Sequence, residues 1–130
     1  MLQNEYKNTY KYLHRYGNKV VVAIKNRIRK DKLIDTGELL DSINYQINDS
    51  NGSFQVVFNI GDGDFTPGSG LPSEYGVYLD KGTRYIDPYY FFTAPIPGLT
   101  QKDFIADITI AMQKDIVIFL QKQIKTVKNK

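Results

Sequence analysis

Residues 43–60 read INYQINDSNGSFQVVFNI, and this stretch decides the fold. Apolar side chains alternate with polar ones up to residue 48, and the alternation resumes at Phe54 after the turn-forming residues 49–53. A period of two places alternate side chains on one face of a strand, whereas a helix needs a period of 3.6. We therefore predict an antiparallel β-hairpin with one apolar face.

Upstream of this hairpin the pattern is helical. Apolar or small residues recur at intervals of three and four residues, which predicts one long amphipathic helix over residues 3–30. Gly17 interrupts this run and marks a kink, at a cost of about 1 kcal/mol relative to alanine. The face consists of Tyr6, Tyr10, Leu13, Gly17, Val20, Ile24 and Ile28.

Downstream, Thr100 and Asp103 form a capping-box pattern that opens a second long helix over residues 100–128. A second apolar stripe, at Ile110 and Val117, lies on another side of this helix, and Ile118 widens it. Together the stripes give more apolar surface than one hairpin covers. The main stripe consists of Ile105, Ile108, Met112, Ile116, Leu120, Ile124 and Val127, with Phe119 alongside.

Shorter elements are predicted from turn chemistry. Residues 35–38, Asp35-Thr36-Gly37-Glu38, resemble a helix start with Asp35 as the cap, followed by one turn over residues 39–42. Ser73 is expected to cap a short helix over residues 74–81 that ends at Gly82. The Gly- and Pro-rich residues 61–74 predict a functional or mobile loop, and the aromatic residues 85–92 predict extended chain, with an edge strand as one form.

These elements predict a single α+β domain over residues 1–130. Its parts are a long N-terminal helix, an antiparallel hairpin sheet, a short helix with a Gly-Thr turn, and a long C-terminal helix packed on the sheet. The predicted segments are a helix at 1–30, a turn and hairpin at 35–60, a loop at 61–74, a short helix and aromatic/Pro segment at 75–98, and a helix at 100–128.

Composition excludes several classes of site. The 130 residues include no cysteine and one histidine, so thiolate metal sites, disulfides, a thiol nucleophile and a histidine cluster are excluded. No group of residues assembles a nucleophile, a base and an oxyanion site, so we expect neither an enzyme nor a cofactor. The longest apolar runs are too short for the roughly 20 residues that span a bilayer, and the N-terminus lacks the apolar core of a signal peptide. We expect a soluble protein in the cytoplasm when it is made.

Two other motifs have plain structural explanations. The triplet Asp35-Thr36-Gly37 is that of retroviral-type aspartic proteases, but Glu38 stands where that family has a small residue, and long helices flank the hairpin. We therefore favour a helix cap and keep the protease as the weaker alternative. Asp62-Gly63-Asp64 lacks the further ligands of a calcium loop and is read as a solvated turn.

The net charge of +3 hides an uneven distribution. The charge is +7 over residues 1–30, −7 over residues 31–98 and +3 over residues 99–130. Clustered basic groups can bind phosphate, so a DNA-binding accessory protein stays open as an alternative, although the acidic centre counts against a dedicated DNA binder. The candidate DNA or acidic-surface contacts are Lys122, Lys125, Lys128 and Lys130.

Two segments carry a family resemblance. Residues 35–43 read DTGELLDSI, with the spacing Thr-Gly-x-Leu-x-x-Ser-Ile. Residues 75–85 read YGVYLDKGTRY, in which tyrosines and an acidic residue lead into a Gly-Thr turn, and a Pro-Phe segment and a final helix follow. In this order, over nearly the whole chain, they resemble the tailed-bacteriophage neck and tail-component proteins, the tail-completion and head–tail joining proteins of the lambdoid and siphophage type.

This resemblance implies a structural virion protein in the phage neck. Such proteins form a ring, here expected to be a hexamer or dodecamer, between a portal/adaptor or stopper protein and the tail tube protein. DNA passes through the lumen, where non-specific contact with double-stranded DNA is expected, and no membrane is involved. The protein would be found in the virion, and in the host cytoplasm during assembly.

Candidate contact residues follow from the resemblance and from the apolar and charged patterns. The subunit or partner interface is assigned to Asp80, Lys81, Gly82, Thr83, Arg84, Tyr85, Tyr89, Tyr90, Ile110 and Val117. Axial contacts are assigned to the loop residues Asp62, Asp64, Phe65 and Leu71, and a structural turn to Asp35, Thr36 and Gly37.

Overall fold

The computed structural model describes residues 6–31, 37–50 and 53–128, and over these residues the chain forms four helices and two strands. The elements are α1 (Lys7–Lys30), α2 (Glu38–Ser42), β1 (Ile43–Ser50), β2 (Ser53–Ile60), α3 (Pro72–Lys81) and α4 (Gln101–Lys128). The predicted α+β class, with its long first helix, two-stranded sheet, short helix and long last helix, is confirmed.

The hairpin forms in the predicted place. β1 and β2 pair antiparallel, from Ile43 opposite Ile60 to Ser50 opposite Ser53. Ile43 and Ile60 are both buried at the open end of this ladder, far from the turn, and as a directly opposed pair they lie on the same face. The predicted turn residues 51 and 52 lie outside the described part.

The chain divides into two compact units. One comprises residues 1–16 and 97–130, and the other comprises residues 17–96. The helix α1 therefore contributes its beginning to the first unit and the remainder, from Gly17 onward, to the second.

In the first unit, aromatic side chains from α1 and α4 form a cluster. Phe104 lies 5.8 Å from Tyr12 and 4.8 Å from Tyr16, measured between ring centroids, and the Tyr16 hydroxyl donates to the Leu99 carbonyl at 2.7 Å. Burial, followed by the negative charges of Asp107 and Asp103, raises the pKa of Tyr12 to about 12. Its phenol therefore stays protonated at physiological pH. The capping box that begins α4 is confirmed, since the Thr100 amide donates to Asp103 at 3.0 Å and the Asp103 amide to the Thr100 hydroxyl at 3.4 Å.

In the second unit, short helices cover the hairpin. α2 and α3 both contact it, and Gly76 of α3 approaches so closely that an added Cβ would lie 3.0 Å from side-chain atoms of Ile60 and Leu39. From α1, Val20, Ile24 and Ile28 are buried, as the helical pattern predicts. Branched apolar side chains thus form the buried layer of this unit.

The starts of two short helices differ from the sequence prediction. The cap position of α2 is Gly37, with φ 83°, rather than Asp35, which together with Thr36 lies outside the described residues. α3 begins at Pro72, with Leu71 at the cap position, so Ser73 is a buried residue of the first turn and not the cap. Proline is well suited to the first turn because the missing N–H has no partner there. The predicted end of α3 at Gly82 is confirmed, and its amide donates to the Tyr78 carbonyl.

Candidate interaction surfaces

The Gly-Thr turn after α3 is closed by its own hydrogen bonds. Gly82 has φ 80° and ψ 168°, a region that only glycine adopts readily, and an added Cβ would lie 2.9 Å from atoms of Ile86 and Pro88. The Thr83 hydroxyl accepts the amides of Tyr85 and Ile86, each at 3.1 Å, and the Thr83 amide donates to the Ile86 carbonyl at 2.8 Å. The turn therefore requires glycine and then a hydroxyl residue.

Asp80 holds the aromatic segment that follows. Its Oδ1 accepts the backbone amides of Phe92 at 2.8 Å and Thr93 at 3.0 Å, and the Asp80 side chain is only 2 % exposed. The assignment of Asp80 to a partner interface is corrected on this point, because a buried carboxylate cannot itself contact a partner. Asp80 is a positioning residue.

The extended chain predicted over residues 85–92 does not take the form of an edge strand. The amide of Tyr89 donates to the Leu79 carbonyl at 3.0 Å, and that of Tyr90 to the Asp80 carbonyl at 2.9 Å. These donors are thus used by the end of α3, and among the described residues the sheet contains only β1 and β2. The segment is a clamped loop instead of a strand.

Arg27 of α1 anchors the end of the same segment. Its guanidinium donates to the carbonyls of Ala94 at 2.7 Å and Pro95 at 2.6 Å, and more weakly to that of Phe91 at 3.4 Å. The Phe91 side chain is fully buried. The planar guanidinium suits this role because its N–H groups diverge in a fixed fork.

The side chains that the clamped loop exposes are mostly aromatic. We call Tyr85, Ile86, Tyr89 and Tyr90 the aromatic surface. Tyr85 is 87 % exposed, and the other three side chains are between 40 % and 52 % exposed. Tyr90 has φ 53°, a strained conformation for a non-glycine residue, which the hydrogen bonds to α3 maintain. The neighbouring interface candidates Lys81, Thr83 and Arg84 are also exposed, and the Arg84 guanidinium lies 5.9 Å from the centroid of the Tyr85 ring.

The loop before α3 is tied to that helix by Glu74. The Glu74 carboxylate, which is buried, accepts the amides of Gly68 and Gly70. Phe65 meets Tyr78 edge to face, with ring centroids 5.7 Å apart, and still exposes 46 % of its surface.

The remaining axial candidates are exposed as well. Leu71 is 53 % exposed, and Asp62 and Asp64 are exposed. The Asp62 side chain accepts the Asp64 amide at 3.0 Å, which fits the solvated turn read from the sequence.

The last helix exposes most of its apolar residues. Of the predicted main stripe, Ile108 is buried and Met112 is partly buried, and the buried face continues through Ala111 and Asp115. The interface candidates Ile110 and Val117 are 53 % and 51 % exposed. Between 43 % and 56 % of the surface is also exposed at Ile105, Ile116, Ile118, Phe119, Leu120 and Ile124.

Asp115 of α4 caps the beginning of α1. One carboxylate oxygen accepts the backbone amide and side-chain amide of Asn8, each at 2.9 Å, and the other accepts the amide and hydroxyl of Thr9, each at 2.7 Å. The first turn of α1 has no acidic residue of its own, so Asp115 supplies the negative charge that a helix N-terminus favours. Beside it lies a cavity of about 120 Å³, lined by Tyr6, Asp115, Ile116 and Phe119.

This cap predicts a pH-dependent contribution to stability. Burial raises the pKa of Asp115, but the hydrogen bonds from Thr9 and Asn8 outweigh it and hold the pKa below the usual value. The contribution is therefore complete above the unfolded-state pKa of about 3.9 and is lost as the pH falls through the lower folded-state value.

Asp115→Asn should accordingly lower the free energy of unfolding at pH 7, and the difference from the unmodified chain should shrink as the pH falls below the ordinary carboxylate pKa of about 3.9 and the aspartate becomes protonated as well. Urea unfolding at several pH values measures this difference. Asp107→Asn, an exposed position on the same helix, is the matched control. A difference of equal size at both ends of the pH range would contradict the charged cap.

The predicted basic contacts lie at the end of α4. Lys122 is exposed, Lys125 and Lys128 belong to the last turns of the helix, and Lys130 lies outside the described residues.

Three positioning residues were not foreseen: Arg27, Glu74 and Asp115. Arg27 and Asp115 bind backbone groups that are distant in sequence. Glu74 binds backbone amides four and six residues away. For Asp115 a signal existed, since an aspartate interrupts the apolar stripe of α4 between Met112 and Ile116. A charged residue on an apolar helix face needs a partner.

Comparisons with known proteins give no relative. No family model, no curated protein and no solved structure matches the chain. No helix in the described part combines the length and hydropathy needed to cross a bilayer, and the same residues contain no group of three or more acidic or histidine side chains placed to hold a metal ion.

Proposed function

We propose that this chain is a structural virion protein of a tailed bacteriophage, which forms a ring in the neck or at the top of the tail, joins the head to the tail and lets DNA pass. The observation that carries the proposal is the aromatic surface at residues 85–90. It lies in the segment whose sequence resembles the second neck-protein signature, and it is held in place by that signature's own residues.

The motif residues support contact with other proteins. Asp80, Gly82 and Thr83 are used to fix the backbone, while Tyr85 and Tyr89 remain exposed. Tyrosine and arginine are enriched among the residues that dominate binding energy, and a rigid loop loses little entropy when it binds. A clamped tyrosine loop therefore suits binding to a protein partner.

A second surface suits axial contacts. Phe65 and Leu71 are exposed on a loop that Glu74 ties to α3. We assign this loop to contact with the portal/adaptor or stopper protein on one side of the ring or with the tail tube protein on the other. Loops held on a rigid scaffold are where binding residues concentrate.

The charge distribution supports contact between copies. Exposed basic residues of the first segment include Lys19 and Arg29, and exposed acidic residues of the middle segment include Asp62 and Asp87. A ring needs one surface that meets a different surface of the next copy, and opposite charges give such an interface its register.

Salt should therefore weaken the ring. At about 0.15 M ionic strength, charges more than about 8 Å apart are already screened, and higher salt shortens this range further. We expect sedimentation velocity and negative-stain images of the full chain to show rings at low salt and smaller species at high salt.

A ring unchanged in size and population across the series would contradict the role given to charge. Salt-dependent binding of DNA by a monomer or dimer, with no ring at any salt concentration, would instead favour the DNA-binding alternative.

A further inference from the structure

The outer face of α4 carries apolar residues at intervals of seven. Ile110, Val117 and Ile124 recur two helical turns apart, and each is slightly more than half exposed. Ala106, Gln113 and Leu120 form a second series at intervals of seven, each four residues before a member of the first. β-branched residues at one position of a seven-residue repeat, with leucine or a small residue at the other, are typical of a seam between paired helices.

This seam is distinct from the face that packs within the first unit. The inward face contains Ile108, Ala111 and Asp115, all less than 10 % exposed. Because an α-helix turns by about 100° per residue, Val117, two residues after Asp115, lies about 160° away from Asp115 around the helix axis. From Ala106 to Ile124 the seam positions themselves are uncharged.

The exposed area is large enough for a specific contact. Five apolar side chains on or flanking this side are each about half exposed: Ile110, Ile116, Val117, Leu120 and Ile124. They present on the order of 500 Å², and a self-complementary contact would bury about twice that, near the roughly 1,000 Å² at which interfaces become specific.

Charge selects the direction of pairing. Residues 101–107 of α4 carry Asp103 and Asp107 against Lys102, a net charge of −1, whereas residues 122–128 carry Lys122, Lys125 and Lys128, a net charge of +3. Antiparallel pairing of two copies places the acidic beginning of one helix beside the basic end of the other and also opposes the two helix dipoles. Parallel pairing would place like charges side by side.

We propose that the outer face of α4 is covered by α4 of a second copy of this chain, in an antiparallel pair with its two-fold axis at Val117. Ile110 of one copy then packs against Ile124 of the other. The proposal goes beyond the ring proposed above, because a two-fold pair joins the same surface of two copies and is therefore a separate contact from the head-to-tail interface within a ring.

The chain has no cysteine, so single cysteines can report this register. Val117→Cys should form a disulfide-linked dimer on mild oxidation, because the axis brings position 117 of both copies together. Ile110→Cys and Ile124→Cys should form the linked dimer only when the two variants are mixed. Lys122→Cys, exposed on another side of the helix, is the control and should stay monomeric on a non-reducing gel.

Several results would overturn the pairing. Linkage of Ile110→Cys with itself would show a parallel pair. Absence of linkage in Val117→Cys, together with a monomeric mass by sedimentation, would show that another part of the chain, such as residues 1–5, or a different protein covers the face. Because the readout is a two-copy linkage in the isolated chain, its failure with rings intact would leave the neck proposal standing, whereas linked pairs without rings would reject the ring alone.

Discussion

Replacing Asp80 with alanine should lower the free energy of unfolding by about 4 kcal/mol, because two part-buried backbone amides would lose a charged acceptor at once. These amides belong to Phe92 and Thr93, and the Asp80 side chain that accepts them is itself only 2 % exposed. Urea unfolding followed by circular dichroism measures the loss. Protease cleavage within residues 85–93 should rise in the same variant, because the clamp on the aromatic surface is released.

Two substitutions control for this result. Asp80→Asn retains an oxygen that can accept both amides and should cost less than half as much. Asp87→Ala removes an exposed carboxylate from the same segment and should change stability by less than about 0.5 kcal/mol. Equal effects of Asp80→Ala and Asp87→Ala would show that the clamp does not hold the segment.

Gly17→Ala should destabilise the chain by about 2 kcal/mol, although alanine is the better helix former by about 1 kcal/mol. An added Cβ at Gly17 would lie 2.5 Å from Cδ2 of Tyr45, well inside the distance at which carbon atoms pack. The glycine therefore admits the Tyr45 ring against α1. Asn18→Ala, exposed on the same helix, should be neutral or slightly stabilising and serves as the control.

A double-mutant cycle isolates the steric cause. In a Tyr45→Ala background the ring is absent, so Gly17→Ala should become stabilising by up to about 1 kcal/mol. A change of sign between the two backgrounds identifies close approach as the reason for the glycine. The same destabilisation in both backgrounds would contradict it.

Local patterns predicted the helices and the hairpin well. The period of two over residues 43–60 identified both strands, and the period of three and four identified α1 and α4. Gly82 as the end of α3 followed from the same kind of local chemistry, since a left-handed residue is needed there. Each of these features depends on neighbours within a few residues.

Distant partners explain the failures. The segment over residues 85–92 has the composition of an edge strand, but its amides bond to α3, which no local pattern reveals. The apolar stripes of α4 did not show which residues would be buried, because the buried face is the one that meets α1 through Asp115. The sequence pattern predicts a kink at Gly17. The structure instead explains this glycine by the close approach of Tyr45, which lies 28 residues later in the chain.

The sequence predicts where the candidate surfaces lie better than it predicts the role of each residue in them. The sequence predicts an interface role for Tyr85, Tyr89 and Tyr90, which are exposed, and equally for Asp80, which is buried. A motif contains both the residues that make a contact and the residues that hold them, and only their burial and hydrogen bonds separate the two.

The proposed role in the phage neck is tested most directly by the assembly of virus particles when the chain is missing. The proposed neck role predicts that an early stop codon at Lys7, placed in the genome that encodes the chain, yields DNA-filled heads and complete tails that remain separate in electron micrographs. Supplying the intact chain from a plasmid should restore joined particles. Joined, infectious particles at the normal yield without the chain would contradict the proposed role in the neck.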